Sequence, residues 1–306
     1  MKTIFLGKSG LTVPAVAVGC MRMAALDVKQ AERYIARCLE LGLNYFDHAD
    51  IYGGGRSEEI FAAASHMSPR VREKMYIQSK CGIISGVMYD ASKAHILEAA
   101  DGILSRLGVD HLDSLLLHRP DALMEPEEVA EAFETLHRAG KVRYFGVSNE
   151  NAAQLQLLEK AMPGRIVINQ MQFSLAHTPM VDEGVNVNIH SDHAIVRDGG
   201  VLDYCRLHGI PLQAWSPFQY GMFEGVFLGS DKYPELNAAV GEIAEAHGVT
   251  DSAIAVAWIL RHPAKIQVLA GSMNPRRIAD IARGADVELS RQEWYRLYLS
   301  AGNPLP

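Results

Sequence analysis

Short apolar runs alternate with longer amphipathic stretches over almost the whole chain. Such short runs are typical of buried strands, whereas apolar residues at every third or fourth position are typical of helices. The pattern predicts eight strands, at Val13–Val18, Asn44–Asp47, Met75–Lys80, Asp113–His118, Val142–Val147, Ile166–Gln170, Pro211–Trp215 and Ile266–Ala270.

Helical patterns lie between these strands, so that a helix follows each strand. The predicted helices are Val28–Leu41, Ser57–Ser65, Ser92–Leu107, Pro126–Arg138, Asn151–Ala161, Gly200–Leu207, Asp251–Arg261 and Pro275–Ala282. Pro126 stands in a first turn together with acidic residues, as helix N-termini favour. Gly42, Gly108, Gly140 and Gly209 follow helical runs, where a left-handed C-terminal residue is favoured.

The repeated strand–helix unit predicts parallel strands joined by right-handed crossovers. Eight units in about 300 residues indicate an α/β fold, a closed (β/α)₈ TIM barrel. A doubly wound open sheet is the main alternative, but the G-x-G-x-x-G fingerprint that accompanies it is absent after Val18.

The remaining segments complete a single predicted domain, residues 1–306. Thr3–Phe5 and Leu11–Pro14 flank a Gly-containing turn, which predicts an N-terminal β-hairpin that closes the barrel floor. Arg291–Ser300 predicts an extra C-terminal helix. Two long loops, at about 172–199 and 216–234, follow the sixth and seventh strands, and long loops in a compact domain are usually functional.

Composition limits the kinds of partner and the cellular location to be expected. The 306 residues include 29 Lys and Arg against 36 Asp and Glu, so the formal net charge is −7 and a nucleic-acid partner is not expected. No apolar run approaches the roughly 18 residues of a membrane span. The four cysteines form no C-x-x-C pair, which favours free thiols and a cytoplasmic location.

Titratable side chains stand where three successive predicted strands end. Asp47, Lys80 and His118 close the second, third and fourth strands, and Tyr52 follows Asp47 in the next loop. Chemistry in such barrels takes place at the carboxyl ends of the strands, and neighbouring strands lie about 4.8 Å apart. We therefore predict that these four side chains meet.

The four groups suit the reduction of a carbonyl. A phenol has a pKa of about 10, and a neighbouring buried ammonium is expected to lower it. Asp47 would supply the counter-charge to Lys80, and His118 could donate a hydrogen bond to the carbonyl oxygen that Tyr52 protonates. Taken singly, Asp47 could be a helix cap, Lys80 a solvated side chain and His118 part of a turn.

Four segments carry a family resemblance in their order and spacing. They are Asp47-His48-Ala49-Asp50-Ile51-Tyr52-Gly53, Gln78-Ser79-Lys80, Leu116-Leu117-His118-Arg119-Pro120-Asp121 and Gly140-Lys141-Val142-Arg143-Tyr144-Phe145-Gly146-Val147-Ser148-Asn149. Together they resemble the signatures of the aldo–keto reductase superfamily, in a bacterial oxidoreductase-like member. The resemblance implies that Tyr52 is the acid, that Lys80 tunes it, that Asp47 pairs with Lys80 and that His118 orients the carbonyl.

The same resemblance implies a nicotinamide cofactor across the barrel mouth. Ser148, Asn149 and Gln170 would hold its carboxamide, and Trp215 would stack on the ring where Tyr is commoner. The implied cofactor residues are Gly19, Cys20, Met21, Asp47, Ser148, Asn149, Gln170, Trp215, Ser216, Pro217, Phe218, Gly221, Gly271, Ser272, Asn274, Arg276 and Arg277.

The segment after the last strand indicates which nicotinamide cofactor binds. Ser272 and Arg277 match family contacts to a 2′-phosphate, and backbone N–H groups at the start of the following helix could bind phosphate. This predicts NADPH in preference to NADH. Gly271 stands where many members carry a Lys and Ile281 where many carry an Asn; Arg276 is expected to compensate for the missing charge.

The predicted function is NADPH-dependent reduction of a small-molecule aldehyde or ketone. The alternatives are a cofactor-binding regulatory or scaffold member of the same fold with little turnover, and a lyase or isomerase that uses Lys80 as a Schiff base. No metal is predicted, because His190, Asp192 and His193 lie in a loop without a further anchored ligand. Specificity is expected in the two long loops and at Met21, Tyr89 and Phe218, while the substrate and oligomeric state are not predicted.

Overall fold

A computed structural model describes residues 1–305. Its strands are β1 (Thr3–Phe5), β2 (Thr12–Pro14), β3 (Val16–Gly19), β4 (Tyr45–Asp47), β5 (Tyr76–Cys81), β6 (Ile83–Ile84), β7 (Met88–Tyr89), β8 (Leu112–Leu117), β9 (Val142–Ser148), β10 (Ile166–Gln172), β11 (Leu212–Trp215) and β12 (Gln267–Ala270). Strands β3, β4, β5, β8, β9, β10, β11 and β12 pair in parallel in that order, and β12 pairs with β3 to close a barrel. The predicted (β/α)₈ fold is confirmed.

Helices cover the outside of the barrel. They are α1 (Val28–Glu40), α2 (Arg56–Ser65), α3 (Pro69–Arg72), α4 (Lys93–Leu107), α5 (Pro126–Arg138), α6 (Ala152–Ala161), α7 (Pro179–Val185), α8 (Val201–His208), α9 (Pro234–His247), α10 (Asp251–Leu260), α11 (Pro275–Arg283) and α12 (Arg291–Ser300). Each of the eight predicted helices forms, with ends within one residue of the prediction. Gly108 and Gly209 have φ values of 64° and 67°, which confirms them as left-handed C-caps.

The predicted N-terminal hairpin is present and fills the lower barrel. Strands β1 and β2 pair antiparallel, with Ile4 opposite Val13. These two side chains belong to the same buried cluster as Ala17, Tyr45 and Leu116 on the barrel strands. The predicted strand Val13–Val18 is in fact two strands, β2 and β3, because the chain leaves the hairpin and enters the barrel at Ala15.

Two elements of the long connections were not predicted. Helix α7 lies within the loop at 172–199, and α9 follows the loop at 216–234. Helix α9 buries Leu236, Ala239, Val240, Ile243 and Ala244, so its apolar positions do have helical spacing. The assignment of residues 1–306 to one domain stays a prediction.

The predicted C-terminal helix α12 is held by paired tryptophans. The rings of Trp258 on α10 and Trp294 on α12 stack with their centroids 4.8 Å apart. Each indole N–H also donates to the backbone carbonyl of the other tryptophan, at 3.1 and 3.0 Å. Stacking and reciprocal hydrogen bonds together fix α12 against the barrel helices.

The four cysteines are buried free thiols, as predicted. Within residues 1–305, no single helix is long and apolar enough to cross a membrane; the pair α9 and α10, bent by 92°, passes that test only by length and composition. Across the same residues, no three His, Cys, Asp or Glu side chains converge as metal ligands. The expectation that the protein needs no metal stays a prediction.

Candidate active site

The strand ends bring the four predicted side chains together. Asp47 is the last residue of β4, Lys80 lies on the neighbouring β5, and His118 follows β8, which pairs with β5. Tyr52 begins a short turn of helix beyond β4. The Lys80 Nζ lies 2.8 Å from Asp47 Oδ2 and 3.2 Å from the Tyr52 hydroxyl, so the predicted contact is present.

Lys80 is wholly buried yet fully provided with acceptors. Besides Asp47 and Tyr52, its ammonium donates to the backbone carbonyl of His48 at 2.8 Å. Burial alone would lower the pKa of Lys80, but the Asp47 carboxylate and the Tyr52 oxygen outweigh burial, and the pKa is raised. Lys80 therefore remains an ammonium at neutral pH.

The pKa of Tyr52 differs from the sequence-based expectation. Lys80 does lower it, but burial raises it by more and the Asp47 charge adds to burial, so the net pKa is raised. The expectation of a net lowering was wrong because the sequence could not show how deeply the phenol is buried. A raised pKa keeps Tyr52 protonated at neutral pH, which is the form that can donate a proton.

His118 is a neutral imidazole beside Tyr52. Its ring centroid lies 5.9 Å from that of Tyr52, with the planes nearly perpendicular. Burial, together with the positive charges of Lys80 and Arg119, holds the pKa of His118 well below its usual value. A neutral imidazole can still donate one hydrogen bond to a ligand oxygen.

A hydrogen-bonded series of buried glutamine side chains, which we call the glutamine chain, ends at Asp47. Asp47 Oδ1 accepts from the side-chain amides of Gln78, at 2.6 Å, and Gln170, at 3.2 Å. A carboxylate can only accept hydrogen bonds, so both amides must present their N–H groups to it. The second N–H of each donates to Gln213 Oε1 at 2.9 Å.

The glutamine chain continues to the floor of the barrel. Gln213 Nε2 donates to Gln267 Oε1 at 2.8 Å, and Gln267 Nε2 donates to the backbone carbonyl of Pro14 at 2.7 Å. Every amide therefore has one orientation, set by the carboxylate at one end and the carbonyl at the other. Sequence reasoning identified Gln170 but missed Gln78, Gln213 and Gln267 as a connected set.

A cavity of about 1670 Å³ opens above these groups. It exceeds the roughly 300–1,000 Å³ of a typical small-ligand pocket, so it has room for a large cofactor and a substrate together. Most predicted site residues line it, namely Gly19, Met21, Asp47, Tyr52, His118, Ser148, Asn149, Gln170, Trp215, Ser216, Pro217, Phe218, Gly271, Ser272, Asn274 and Arg277. Tyr89 also lines it, and its role in specificity stays a prediction.

Three predicted cofactor residues lie outside this lining. Cys20 is wholly buried and its thiol contacts the Val18 carbonyl. Gly221 and the exposed Arg276 do not face the cavity either. A cofactor role for these three stays a prediction.

One end of the cavity carries two arginines, of which sequence reasoning found one. Arg277 was predicted, but Arg22, in the turn that follows β3, also faces the cavity. Arg22 Nη1 donates to the Gly271 carbonyl at 3.2 Å, and a Cβ added at Gly271 would lie 3.1 Å from it. The absence of a side chain at Gly271 therefore leaves room for the Arg22 guanidinium. Sequence reasoning could have found Arg22 only by considering positions 22 and 271 together.

The backbone at this end is less open to phosphate than predicted. The N–H groups of Arg276 and Arg277, in the first turn of α11, both donate to Asn274 Oδ1, at 2.9 and 3.2 Å. Asn274 is thus the N-cap of α11. Because the cap satisfies these donors, the side chains carry the positive charge offered to a phosphate.

Neutral polar groups and an aromatic face line the middle of the cavity. The Trp215 indole N–H donates to Asn149 Oδ1 at 3.0 Å, and Asn149 Nδ2 donates to Ser148 Oγ at 2.8 Å. The Gln170 side chain turns its N–H groups towards Asp47 and Gln213, and within residues 1–305 its amide oxygen accepts no hydrogen bond. That oxygen is available to a ligand donor.

Two largely apolar segments border the other end of the cavity. Residues 83–89, which form the β6–β7 hairpin, and residues 222–226 both face it. We call these segments the mouth loops. Val87, Met88, Met222 and Phe223 are all more than half exposed, so the mouth loops present apolar surface towards a substrate.

Glu150, directly after Asn149, is a buried carboxyl without a partner. It is 0% exposed, and neither of its carboxylate oxygens has a hydrogen bond within the described residues. Burial raises the pKa of Glu150 to about 7. The folded protein therefore binds a proton that the unfolded chain releases from about pH 4.5 upward, and it loses stability as the pH rises towards 7.

Substitution of Glu150 by Gln is expected to remove this loss. The difference in unfolding free energy between Glu150→Gln and the unchanged protein should shift by about 3 kcal/mol in favour of the variant between pH 4.5 and pH 8. Urea unfolding at several pH values measures it. Glu98→Gln, at an exposed position of α4, is the matched control and should show no such trend. A pH-independent difference for Glu150→Gln would contradict the interpretation.

Comparison with known proteins places this chain in a family. The model of the Aldo/keto reductase family matches residues 15–298. The chain therefore belongs to that family and is an NAD(P)H-dependent oxidoreductase.

Relatives and solved structures agree with this assignment. The chain is 36% identical to "Uncharacterized oxidoreductase YcsN" of Bacillus subtilis over 85% of this chain and 84% of that protein. It is 36% identical to "6-dehydroglucose reductase" of Agrobacterium fabrum over 87% and 86%. In fold it is similar to an aldo-keto reductase from Klebsiella pneumoniae crystallised with NADPH, with a TM-score of 0.79 at 24% identity over 99% of this chain and 96% of that one.

Proposed function

We propose that this protein reduces an aldehyde or ketone to the alcohol with NADPH, and that Tyr52 supplies the proton. The observation that carries the proposal is the contact of a protonated, buried phenol with the Lys80 ammonium, which Asp47 neutralises at the cavity floor. The product differs from the carbonyl compound by one hydride on carbon and one proton on oxygen. We also propose that the catalytic residues are Asp47, Tyr52, Lys80 and His118.

The cavity fits a nicotinamide cofactor. Three side chains offer hydrogen-bond donors and acceptors that suit a carboxamide. They are Ser148, Asn149 and Gln170, whose amide oxygen accepts no hydrogen bond within residues 1–305. Trp215 offers an aromatic face for the ring. Arg277 and Arg22 would hold phosphate, with Arg22 rather than Arg276 supplying the charge that a Lys at position 271 gives many family members. When bound, the cofactor supplies the hydride.

The chain's own residues would manage the proton and the carbonyl oxygen. His118 donates a hydrogen bond to that oxygen and so orients it towards the Tyr52 hydroxyl. Tyr52 transfers its proton to the oxygen as negative charge develops there. The Lys80 ammonium stabilises the phenolate that Tyr52 becomes, and Asp47 holds the ammonium in place.

Consumption of NADPH with a panel of aldehydes tests the proposal. Loss of NADPH absorbance with formation of one alcohol per cofactor oxidised would support it. Tight NADPH binding with no turnover on any aldehyde would favour a regulatory or scaffold role instead. An adduct on Lys80 trapped by borohydride would favour a Schiff-base lyase or isomerase.

Arg277→Ala is expected to weaken the binding of NADPH more than the binding of NADH. A guanidinium pairs with the 2′-phosphate, which only NADPH carries, and a charge-assisted pair of this kind is worth about 1.5–3 kcal/mol, or about 10- to 150-fold in Kd. Fluorescence titration with both cofactors measures the change. Arg283→Ala, at the other end of α11, is the matched control. Equal weakening of the two cofactors would show that the 2′-phosphate is bound elsewhere.

A further inference from the structure

We call the end of the cavity beside the mouth loops the substrate end, and the end that carries Arg22 and Arg277 the cofactor end. The substrate end holds one arginine that the proposed mechanism does not use. Arg119 directly follows His118 and faces the cavity. Its nearest partners are the Met222 sulfur, 3.9 Å from Nη2, and the Trp215 ring, whose centroid is 5.8 Å from Cζ. Within residues 1–305 it makes no ion pair with a carboxylate.

The other arginines of this chain that are buried or half-buried do have anionic partners. Arg72 pairs with Asp113 at 2.7 Å, and Arg106 pairs with Glu58 at 2.7 Å. A guanidinium has five N–H donors and a thioether is a weak acceptor, so Arg119 is left with donors for a ligand. The contrast indicates an anion-binding group rather than a structural ion pair.

The charges around Arg119 do not cancel its own. Lys80 and Asp47 form a pair that is neutral overall, and Tyr52 and His118 are uncharged at neutral pH. The remaining charged residues of the lining are Arg22 and Arg277 at the cofactor end and Asp251 at the start of α10. Among the lining residues, Arg119 is therefore the charge at the substrate end that has no counter-ion. Glu224 of the mouth loops is exposed, lies outside the lining and forms no ion pair with Arg119 within residues 1–305.

The walls beside Arg119 are apolar. Ile83, Met88 and Phe223 of the mouth loops face the same cavity, and Met222 touches the guanidinium itself. A substrate that fills this end needs an apolar body between its reacting carbonyl and the group that meets Arg119.

We propose, on the basis of the proposed function, that Arg119 binds the carboxylate of the substrate and selects aldehydes and ketones that carry a carboxylate on an apolar or aromatic body. A carboxylate and a guanidinium pair through two parallel hydrogen bonds, which fixes orientation as well as affinity. The carbonyl at the other end of such a substrate then lies near Tyr52 and His118.

Two aldehydes of matched shape test the proposal. With NADPH, 4-carboxybenzaldehyde is expected to have a kcat/KM at least about tenfold above that of 4-methylbenzaldehyde, because only the former pairs with Arg119. In Arg119→Met the ratio should fall to about one, and in Arg119→Lys it should be partly retained. Arg37→Met, which removes a half-buried arginine of α1 that does not line the cavity, is the control and should keep the ratio.

The outcomes separate this proposal from the proposed function. Reduction of both aldehydes with equal kcat/KM by the unchanged protein would overturn the role of Arg119 and leave carbonyl reduction standing. A preference that persists in Arg119→Met, with an unchanged melting temperature, would also overturn it. Failure to reduce either aldehyde, or any other in the panel, would refute the proposed function, and this proposal with it.

Discussion

Tyr52→Phe is expected to lower kcat by about 10²- to 10⁴-fold while the Kd for NADPH changes little. The substitution removes one hydroxyl, whose oxygen lies 3.2 Å from the Lys80 ammonium. That hydroxyl is proposed to act on the carbonyl oxygen during the reaction, and the aromatic ring that lines the cavity is kept. The loss should therefore appear in the chemical step rather than in cofactor binding.

Single-turnover rates and fluorescence titration with NADPH measure the two quantities separately. Tyr76→Phe is the matched control, because the Tyr76 hydroxyl bonds to the Thr12 carbonyl near the floor hairpin. It should retain the kcat of the unchanged protein. Turnover by Tyr52→Phe at the unchanged rate would show that another group donates the proton.

Lys80→Met is expected to impair both catalysis and stability. The buried Asp47 carboxylate would lose its counter-charge, and removal of one partner of a buried ion pair typically costs about 3–5 kcal/mol. The phenolate formed at Tyr52 would also lose its stabilising ammonium. Urea unfolding at neutral pH and kcat with NADPH measure the two effects.

A double variant separates these two effects. Adding Asp47→Asn to Lys80→Met removes the uncompensated charge, so most of the lost stability should return while kcat stays low. The amides of Gln78 and Gln170 would still have an oxygen to donate to. If Lys80→Met were as stable as the unchanged protein, the buried pair of Lys80 and Asp47 would not stabilise the fold.

Sequence periodicity was sufficient to predict the barrel, since most barrel strands are short apolar runs and several helices have their own boundary signals. It missed α9, although Pro234 and Glu235 are helix-start signals and the apolar positions have helical spacing. A strand–helix repeat needs only one helix between β11 and β12, and the predicted helix that became α10 already filled that place. It also started the first barrel strand too early, at Val13, within the predicted hairpin strand, because the chain stays apolar on both sides of Ala15 where it passes from hairpin to barrel.

The candidate site was predictable where it depends on position along strands and not where it depends on burial. The contact between Lys80 and Tyr52 follows from neighbouring strand ends. The raised pKa of Tyr52 does not, because depth of burial is a property of the whole fold. Arg22 was missed for a similar reason: its place beside Gly271 joins residues from opposite ends of the chain.

The directional glutamine chain from Pro14 to Asp47 limits how this barrel interior can diverge. An apolar residue at Gln213 alone would remove the acceptor of one N–H group on each of Gln78 and Gln170 and the donor to the oxygen of Gln267. Buried polar groups that lose a partner are costly. We therefore expect substitutions at these positions to be tolerated in compensating combinations rather than one at a time. Among descendants of this sequence, the interior amides should be inherited or exchanged as a unit.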